Sequence, residues 1–397
     1  MTAPIWDRLI GQPGVVQELA RAVDDAEHIR RGEPGPGMTH AWLVTGPPGS
    51  GRSTAATCFA AALVCPEDGC GACDACRTAP LGGHSDVDVV TTDTLSYKTE
   101  EARDLVVRAS MSPIRSPWHV IVMEDADRLT DQAVNVLLKS LEEPPPHTVW
   151  ILCAPSVEDV LPTIVSRTRL VPLRTPSAQD VAELLVDHYG VDLAMASFAA
   201  RASQGHIGRA RALARDEHAR LRRQEVLRIP FGLQDVATCF AAAANLLGAA
   251  TEDASSITDP IDEAERANLL AEYGDGASGI TQARMKRLMS SATKELDKRQ
   301  KTRRTRTIRD QVDRALVDLI GLYRDVLVVQ LDSDVPLINE EMRPQLSQLA
   351  ARSVPNDTGR RMQALAYCRQ QIEANVTPQL ALESVMVELK DPWIRVA

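Results

Sequence analysis

The sequence predicts a parallel α/β domain at the start of the chain and an all-helical region after it. Three short runs, at residues 41–45, 119–123 and 148–154, are apolar on both faces and are separated by helical patterns. Strands of this kind are typical of a parallel sheet that helices cover on both faces. From about Pro176 onwards the pattern is helical only. We therefore expect an α/β domain followed by helical domains.

A chain of 397 residues exceeds what one hydrophobic core usually supports, so two or three domains are expected. The apolar runs predict an α/β domain at residues 1–175, with an insert at 65–76. A small helical lid is expected at 176–215, and a separate helical domain at 216–397. The lid prediction rests on three short helical patterns, at residues 178–189, 193–202 and 207–214.

The composition indicates a helix-rich protein, because 44% of the residues are hydrophobic but only 4% are aromatic. A formal net charge of −10 argues against a free-standing DNA-binding protein, since duplex affinity depends on clustered Lys and Arg. The sequence shows no charged-then-apolar leader and no run of about 18 apolar residues. We therefore expect a cytoplasmic protein with no membrane partner.

A glycine-rich loop follows the first apolar run and reads Gly46-Pro47-Pro48-Gly49-Ser50-Gly51-Arg52-Ser53-Thr54. It matches a phosphate-binding loop except that Arg52 replaces the lysine, which normally reaches the β and γ phosphates as a compact charge. Guanidinium is planar and wider, so we do not expect it to reproduce the position of the ammonium. The sequence thus predicts weak or no binding of ATP and Mg²⁺. The candidate binding residues are Gly46, Gly49, Gly51, Arg52, Ser53 and Thr54.

Glu124 and Asp125 end the second apolar run, where an acidic pair would bind magnesium and orient the attacking water. The usual order is Asp then Glu, and here it is reversed. Each carboxylate is displaced by one methylene, about 1 Å, which can cost on the order of 100-fold in rate. Two other interpretations remain open: a relic site that binds no nucleotide, and an ordinary turn beside a surface acidic cluster.

Four cysteines lie within the insert, at Cys65, Cys70, Cys73 and Cys76. Clustered cysteines in a chain without an export signal usually bind metal, and four thiolates predict a closed, structural Zn²⁺ site. Iron–sulfur ligation uses a partly similar spacing, but the Cys-Pro that often follows it is absent. The other cysteines lie in apolar stretches and are expected to be small core residues: Cys58, Cys153, Cys239 and Cys368.

Charge is strongly segregated in the last half of the chain. Residues 251–280 carry eight acidic side chains and one basic one, and residues 281–310 carry eleven basic and three acidic ones. We expect a mobile acidic loop followed by a long basic helix. The basic side chains at 284–309 could track a nucleic-acid backbone, although no aromatics are interleaved for base stacking. Alternatively they form a solvated face that the acidic segment neutralises.

Several motifs together resemble bacterial clamp-loader proteins of the AAA+ family over about residues 1–215. They are Trp6-Asp7 with Ile10-Gly11-Gln12, Glu124-Asp125-Ala126-Asp127, the run from Asn135 to Pro145 (NVLLKSLEEPP), Leu161-Pro162 and Ser166-Arg167. The ending Asn375 to Glu383 is compatible with the helical collar of that family. The resemblance implies an AAA+ domain, a helical lid and an oligomerisation collar.

The resemblance also implies roles for three further residues. Arg167 corresponds to an arginine that the family presents across a subunit boundary to ATP bound by the next subunit. Ser156, beside Pro155, occupies the position of the water-holding residue called sensor 1. Arg209 matches the lid arginine called sensor 2. The alternatives are a structural ion pair for Arg167 and a solvated helix charge for Arg209.

The degraded phosphate loop favours the delta-prime branch of this family. The resemblance then implies a hetero-oligomer with tau/gamma and delta subunits that loads the beta sliding clamp onto primed DNA. The chain itself would have at most a weak ATPase, and Arg167 would serve a neighbour. Two other hypotheses are kept: an active ATPase of tau/gamma type, and a DNA-binding module that uses the basic helix.

Overall fold

A computed structural model describes residues 3–92, 96–274 and 282–393. The chain forms two compact units, Met1–Arg215 and Asp216–Ala397. The first unit is built around a parallel five-stranded sheet, and the described part of the second unit contains helices and no strand. The predicted fold class, an α/β domain followed by helical domains, is confirmed.

The sheet has the order β2-β3-β4-β1-β5 and every neighbouring pair is parallel. Its strands are β1 Ala41–Thr45, β2 Val87–Val90, β3 His119–Met123, β4 Thr148–Ala154 and β5 Arg169–Pro172. The three central strands coincide with the predicted apolar runs. The two edge strands were not predicted, because an edge strand is only partly covered and needs no continuous apolar run. Of the four residues in β5, only Val171 is buried.

Nine α-helices occur in the described part of the first unit. They are α1 Pro13–Arg30, α2 Arg52–Val64, α3 Asp74–Thr78, α4 Thr99–Ala109, α5 Asp131–Glu142, α6 Pro162–Val165, α7 Ala178–Tyr189, α8 Leu193–Ser203 and α9 Ile207–Arg215. Helix α2 is buried continuously from Ala55 to Val64, as expected for a small, Ala-rich helix enclosed by the sheet and its neighbours. The Phe59 ring packs edge-to-face on Trp42 of β1, with centroids 5.0 Å apart. This packing fixes the helix that begins at the glycine-rich loop.

The second unit consists of long helices around one apolar core. Its helices are α10 Glu217–Gly232, α11 Val236–Gly274, α12 Gln282–Gln330, α13 Arg343–Ala351, α14 Pro355–Glu373 and α15 Pro378–Lys390. Leu316, Leu319 and Tyr323 of α12 are almost fully buried in this core. The long basic helix expected in this region is confirmed over residues 282–310, which lie within α12.

The acidic segment is not the loop that its composition suggested, because residues 251–274 lie within helix α11. Residues 275–281 fall outside the described part. Helices α11 and α12 run antiparallel with opposite charges facing each other. Arg303 lies 2.5 Å from both Asp262 and Glu265, and Arg299 bonds Glu265 at 3.3 Å. Each helix thus supplies the counter-charges of the other, which removes the self-repulsion that would favour a loop.

Candidate nucleotide site and metal cluster

The glycine-rich loop connects the carboxyl end of β1 to the first turn of α2, where the main-chain N–H groups of a helix start can face an anion. Gly49 and Gly51 have φ values of 83° and 94°, a region that favours glycine. A Cβ on Gly49 would lie 2.3 Å from a ring carbon of His206. The loop therefore requires glycine at this position for both conformation and space.

Arg52 begins helix α2, and Gly51 is its N-cap. The Arg52 guanidinium turns back on the loop and donates a hydrogen bond from Nη1 to the Gly46 carbonyl oxygen. Ser53, next in the chain, is exposed on the first helical turn, and Thr54 is half-buried. One arginine donor is thus engaged by the loop itself, at the position where a lysine would face phosphate.

The acidic pair lies at the same edge of the sheet as the loop. Strand β3, which Glu124 follows, is separated from β1 only by β4. Asp125 adopts a left-handed conformation with φ 55°, and Tyr97 Oη donates to the Glu124 carbonyl at 2.7 Å. Burial is the main cause that raises the pKa of the Cys153 thiol. The charges of Glu124 and Asp125 raise this pKa further, and the charge of Arg52 lowers it. Arg52, Glu124 and Asp125 therefore lie at the same edge of the sheet.

The end of β4 contributes Pro155 and Ser156. The Gly46 N–H donates to the Pro155 carbonyl at 3.2 Å, which ties the start of the loop to this strand end. The Ser156 hydroxyl donates to the Asp159 carboxylate at 2.9 Å. Ser156 thus lies at the expected edge, with its donor engaged by a nearby carboxylate.

The lid reaches the loop through the beginning of α9. The Ile207 N–H donates to the Gly49 carbonyl at 3.4 Å, and His206 packs on the same glycine. Arg209 is half-buried two residues further on, and its backbone N–H donates to His206 Nδ1 at 3.2 Å. The role of Arg209 stays a prediction, and the sequence analysis gave no role to His206. The only available signal was the Gly205-His206 pair just before a helix.

The N-terminal motif is joined to the connection between sheet and lid. The Gln12 side-chain amide donates to the Arg174 carbonyl at 2.6 Å and accepts from the Arg174 N–H at 3.2 Å. Trp6 is buried, and a Cβ on Gly51 would touch the side chain of Leu9. The first residues of the chain therefore line one side of the loop and contact the segment that leads into the lid.

Arg167 lies just after helix α6, away from the loop cluster. Its Nε donates to the Glu142 carboxylate at 2.5 Å, and its Nη1 donates to the Thr163 carbonyl at 2.9 Å and the Ser166 hydroxyl at 3.1 Å. One third of the side chain is exposed, so it is not enclosed in its own domain. Among the described residues, no hydrogen bond or ion pair joins Arg167 to the glycine-rich loop. The structure does not bring Arg167 together with the other predicted site residues.

The four cysteines of the insert converge, and their Sγ atoms all lie within 4.8 Å of one another. Cys65 follows α2, and its Sγ is 3.7 Å from that of Cys70 and 3.6 Å from that of Cys73. A tetrahedral zinc site with bonds of about 2.3 Å requires sulfur atoms about 3.8 Å apart. The donor set and its spacing therefore fit a four-coordinate metal with no open position.

The local environment sets the pKa values of the cluster thiols in opposite directions. Backbone N–H groups of Ala72 and Cys73 lower the pKa of Cys70 to about 7, whereas burial raises the pKa values of Cys73 and Cys76. A coordinated thiol is deprotonated by the charge of the metal. The half-buried pocket thus favours a cation that offsets the charge of several thiolates. The other four cysteines are buried, which confirms their predicted place in the core: Cys58, Cys153, Cys239 and Cys368.

The insert also packs on the N-terminal segment. The Ile5 N–H donates to the Gly69 carbonyl at 3.1 Å, and the Ile5 side chain is fully buried. Gly69 has a φ of 103°, and a Cβ there would lie 2.5 Å from Ile5 Cγ2. The loop between Cys65 and Cys70 therefore holds the segment that precedes Trp6.

A parallel sheet with a phosphate-type loop, an acidic strand end and a helical lid defines a nucleotide-binding protein fold of the AAA+ class. Residues 30–177 match a family model described as "DNA polymerase III, delta subunit". Over these residues the α/β domain is therefore similar to the bacterial clamp-loader family of AAA+ proteins.

Curated relatives are subunits of DNA polymerase III. Subunit gamma/tau of Mycobacterium tuberculosis is 33% identical over 180 residues, which cover 43% of this chain and 29% of the relative. Subunit delta' of Bacillus subtilis is 31% identical over 153 residues, covering 38% of this chain and 46% of the relative. The chain thus spans less than half the length of either relative. Because both kinds of subunit match, the similarity does not separate the gamma/tau type from the delta' type.

Among solved structures, a gamma subunit-related protein of Thermotoga maritima covers 93% of this chain at 14% identity, with a TM-score of 0.41. That match extends over 99% of the Thermotoga chain. As for the described helices, none combines the length and the apolar character needed to cross a membrane.

Proposed function

We propose that this chain is a delta-prime-type clamp-loader subunit, which supplies Arg167 to ATP bound by a neighbouring tau/gamma subunit and has weak or no ATPase of its own. The observation that carries the proposal is the contrast between two arginines. Arg167 lies at the surface with no bond to the loop of its own chain, whereas Arg52 donates to the Gly46 carbonyl. The Arg167 guanidinium, held by Glu142 and Thr163, lies at the surface where a partner can reach it, and the Arg52 guanidinium is held by its own loop.

The geometry at the chain's own loop supports weak nucleotide binding. A phosphate in this loop would need Arg52 to leave the Gly46 carbonyl or to bind through its remaining donors. Ser156 would have to release Asp159 to hold a water. Both adjustments cost free energy at a site whose carboxylates are already in reversed order. Gly46, Gly49, Gly51, Ser53, Thr54 and Arg209 would line the site if ATP and Mg²⁺ bind.

The proposed partners follow from the relatives. Subunits of DNA polymerase III that the comparisons name include gamma/tau and delta'. We propose a hetero-oligomer of this chain with tau/gamma and delta that places the beta sliding clamp on primed DNA in the cytoplasm. The four-cysteine cluster would hold structural Zn²⁺, through Cys65, Cys70, Cys73 and Cys76.

The proposal is tested by measuring ATP hydrolysis in reconstituted assemblies. Arg167→Ala should reduce turnover at the site that it serves by about 10³-fold or more, because an arginine supplied in trans stabilises charge in the transition state. Arg52→Ala should change turnover little, since the site that it belongs to contributes little. The opposite ranking of the two variants would contradict the proposal.

A second candidate function is an active ATPase of tau/gamma type, which the 33% identity to the mycobacterial gamma/tau subunit favours. This function would require Arg52 to do the work of lysine. Steady turnover by the isolated chain, abolished by Arg52→Ala but not by Arg167→Ala, would establish it.

A DNA-binding role for the basic helix has less support, because several of its arginines face acidic residues of α11. Arg303 is the clearest case, with two carboxylates within 2.5 Å. A steep loss of DNA affinity of the isolated chain with rising salt would favour this role.

A further inference from the structure

The partner of Arg167 within its own chain is a residue that sequence reasoning left without a role. Glu142 is the last residue of α5, and Arg167 follows α6, so the pair joins two helix ends that are 25 positions apart in the chain. One oxygen, Glu142 Oε1, lies 2.5 Å from both Nε and Nη2 of the guanidinium. This contact fixes the plane of the guanidinium as well as its position.

The other edge of the guanidinium is fixed as well. Nη1 donates to the Thr163 carbonyl at 2.9 Å and to the Ser166 hydroxyl at 3.1 Å. An arginine side chain otherwise loses about 2 kcal/mol of rotamer entropy when it is ordered. Because the bonds to Thr163, Ser166 and Glu142 order Arg167 beforehand, less of that loss remains when it binds a phosphate.

We propose that Glu142 is a positioning residue, which orients Arg167 towards an anion on a neighbouring subunit. This inference rests on the proposed trans role of Arg167. The Arg167 side chain remains one-third exposed while it is paired with Glu142, so a neighbouring subunit can reach it. Glu142 itself is 46% exposed and lies at a helix end, so the pair is built at the surface rather than in the core.

Glu143 provides a matched control. It is also exposed and follows directly in the chain, but among the described residues its carboxylate has no ion pair, and only its backbone N–H bonds, to the Lys139 carbonyl. If Glu142 acts only through general surface charge or through the end of α5, then Glu142→Ala and Glu143→Ala should have equal effects. If Glu142 acts on Arg167, only Glu142→Ala should change ATP turnover.

The pairing itself can be tested in the isolated chain. A hydrogen-bonded arginine Nε–H exchanges slowly with solvent and gives its own signal in a ¹⁵N NMR spectrum. The Arg167 Nε–H signal, assigned by its loss in Arg167→Lys, should weaken or shift in Glu142→Ala and stay unchanged in Glu143→Ala. An unchanged signal in Glu142→Ala would overturn the proposal.

The functional test uses assemblies reconstituted with tau/gamma and delta subunits. Glu142→Ala should lower kcat for ATP about fivefold with KM unchanged, as expected for an exposed pair that positions a group and binds no substrate. Glu142→Gln, whose amide oxygen still accepts from Nε, should recover part of the loss. Glu143→Ala should match the unchanged assembly.

A double-variant cycle separates positioning from a purely structural role. In an Arg167→Ala background, Glu142→Ala should cause no further loss, because the group that it orients is gone. A fivefold loss that persists in this background would overturn the proposal, and so would a gain in turnover, which would make Glu142 a competitor of the phosphate. If Arg167→Ala alone has no effect, the proposed function fails instead, and the NMR result still decides whether the pair forms.

Discussion

The contact between the cysteine insert and the N-terminal segment gives a quantitative prediction for Gly69→Ala. Gly69 has a φ of 103°, where an L-residue is strained by about 1–2 kcal/mol. The new Cβ would also lie 2.5 Å from Ile5 Cγ2 and 3.4 Å from Ala62 Cβ. Ile5 is fully buried and cannot move into solvent, so overpacking adds about 1–3 kcal/mol.

The expected total for Gly69→Ala is therefore about 2–5 kcal/mol. In a unit of about 200 residues each kcal/mol lowers Tm by about 2–4 °C, so a decrease near 10 °C is expected. Differential scanning calorimetry of the metal-loaded chain measures this shift. It should appear in the transition of the unit Met1–Arg215 and leave that of the other unit unchanged.

Gly190→Ala is the matched control for the backbone part of this cost. Gly190 also has a positive φ, of 63°, but no atom lies within 4 Å of a Cβ built there. Its expected cost is about 1 kcal/mol, from backbone strain alone. Equal Tm shifts for the two variants would refute the claim that the insert packs tightly on Ile5.

Two further predictions concern the metal cluster and the charged helix pair. Removing metal with a chelator should lower the Tm of the first unit by about 10 °C, because a ligand at about 1,000 times its Kd contributes about 4 kcal/mol. Cys76→Ser should cause a similar decrease in Tm. An unchanged Tm of the metal-stripped chain would contradict a structural metal. In the second unit, hydrogen bonding from Arg303 lowers the pKa of Glu265 from 4.5 to about 2. Because the folded-state pKa is the lower one, this stabilisation is complete above about pH 4.5 and is lost as the pH falls towards 2. Glu265→Gln should therefore reduce unfolding free energy by about 1 kcal/mol at pH 7 and make no difference near pH 2, whereas the exposed Glu263→Gln should have little effect at either pH. If the unfolding free energy of Glu265→Gln is still lower than that of the unchanged chain at pH 2, the ionised pair of Glu265 with Arg303 is not the cause.

Patterns that depend on neighbouring residues in the chain were readable without a structure. The three central strands were predicted at their observed bounds because they are buried on both faces. Burial on both faces requires a continuous run of apolar residues. The convergence of the four cysteines followed equally well, since a cluster within twelve residues can close through local turns at Gly69 and Gly71.

Features that depend on distant partners were missed or wrongly predicted. The edge strands carry no continuous apolar run, and the acidic segment became a helix because α12 supplies its counter-charges. His206 lies on Gly49 only because the lid folds back onto the loop. In each case the deciding neighbour is far away in the chain, and residue type alone does not identify it.

The amino-acid sequence alone determined the α/β class, the glycine-rich loop with Arg52, the four-cysteine cluster and the family resemblance, because each depends on the spacing of residues that are close in the chain. Only the tertiary structure decided where the charged side chains are directed. It turned Arg52 back onto Gly46 and paired Arg167 with Glu142. The physical reason is that a long, flexible side chain selects its partner from whatever the fold brings within about 3 Å, and that selection is made across the fold rather than along the chain.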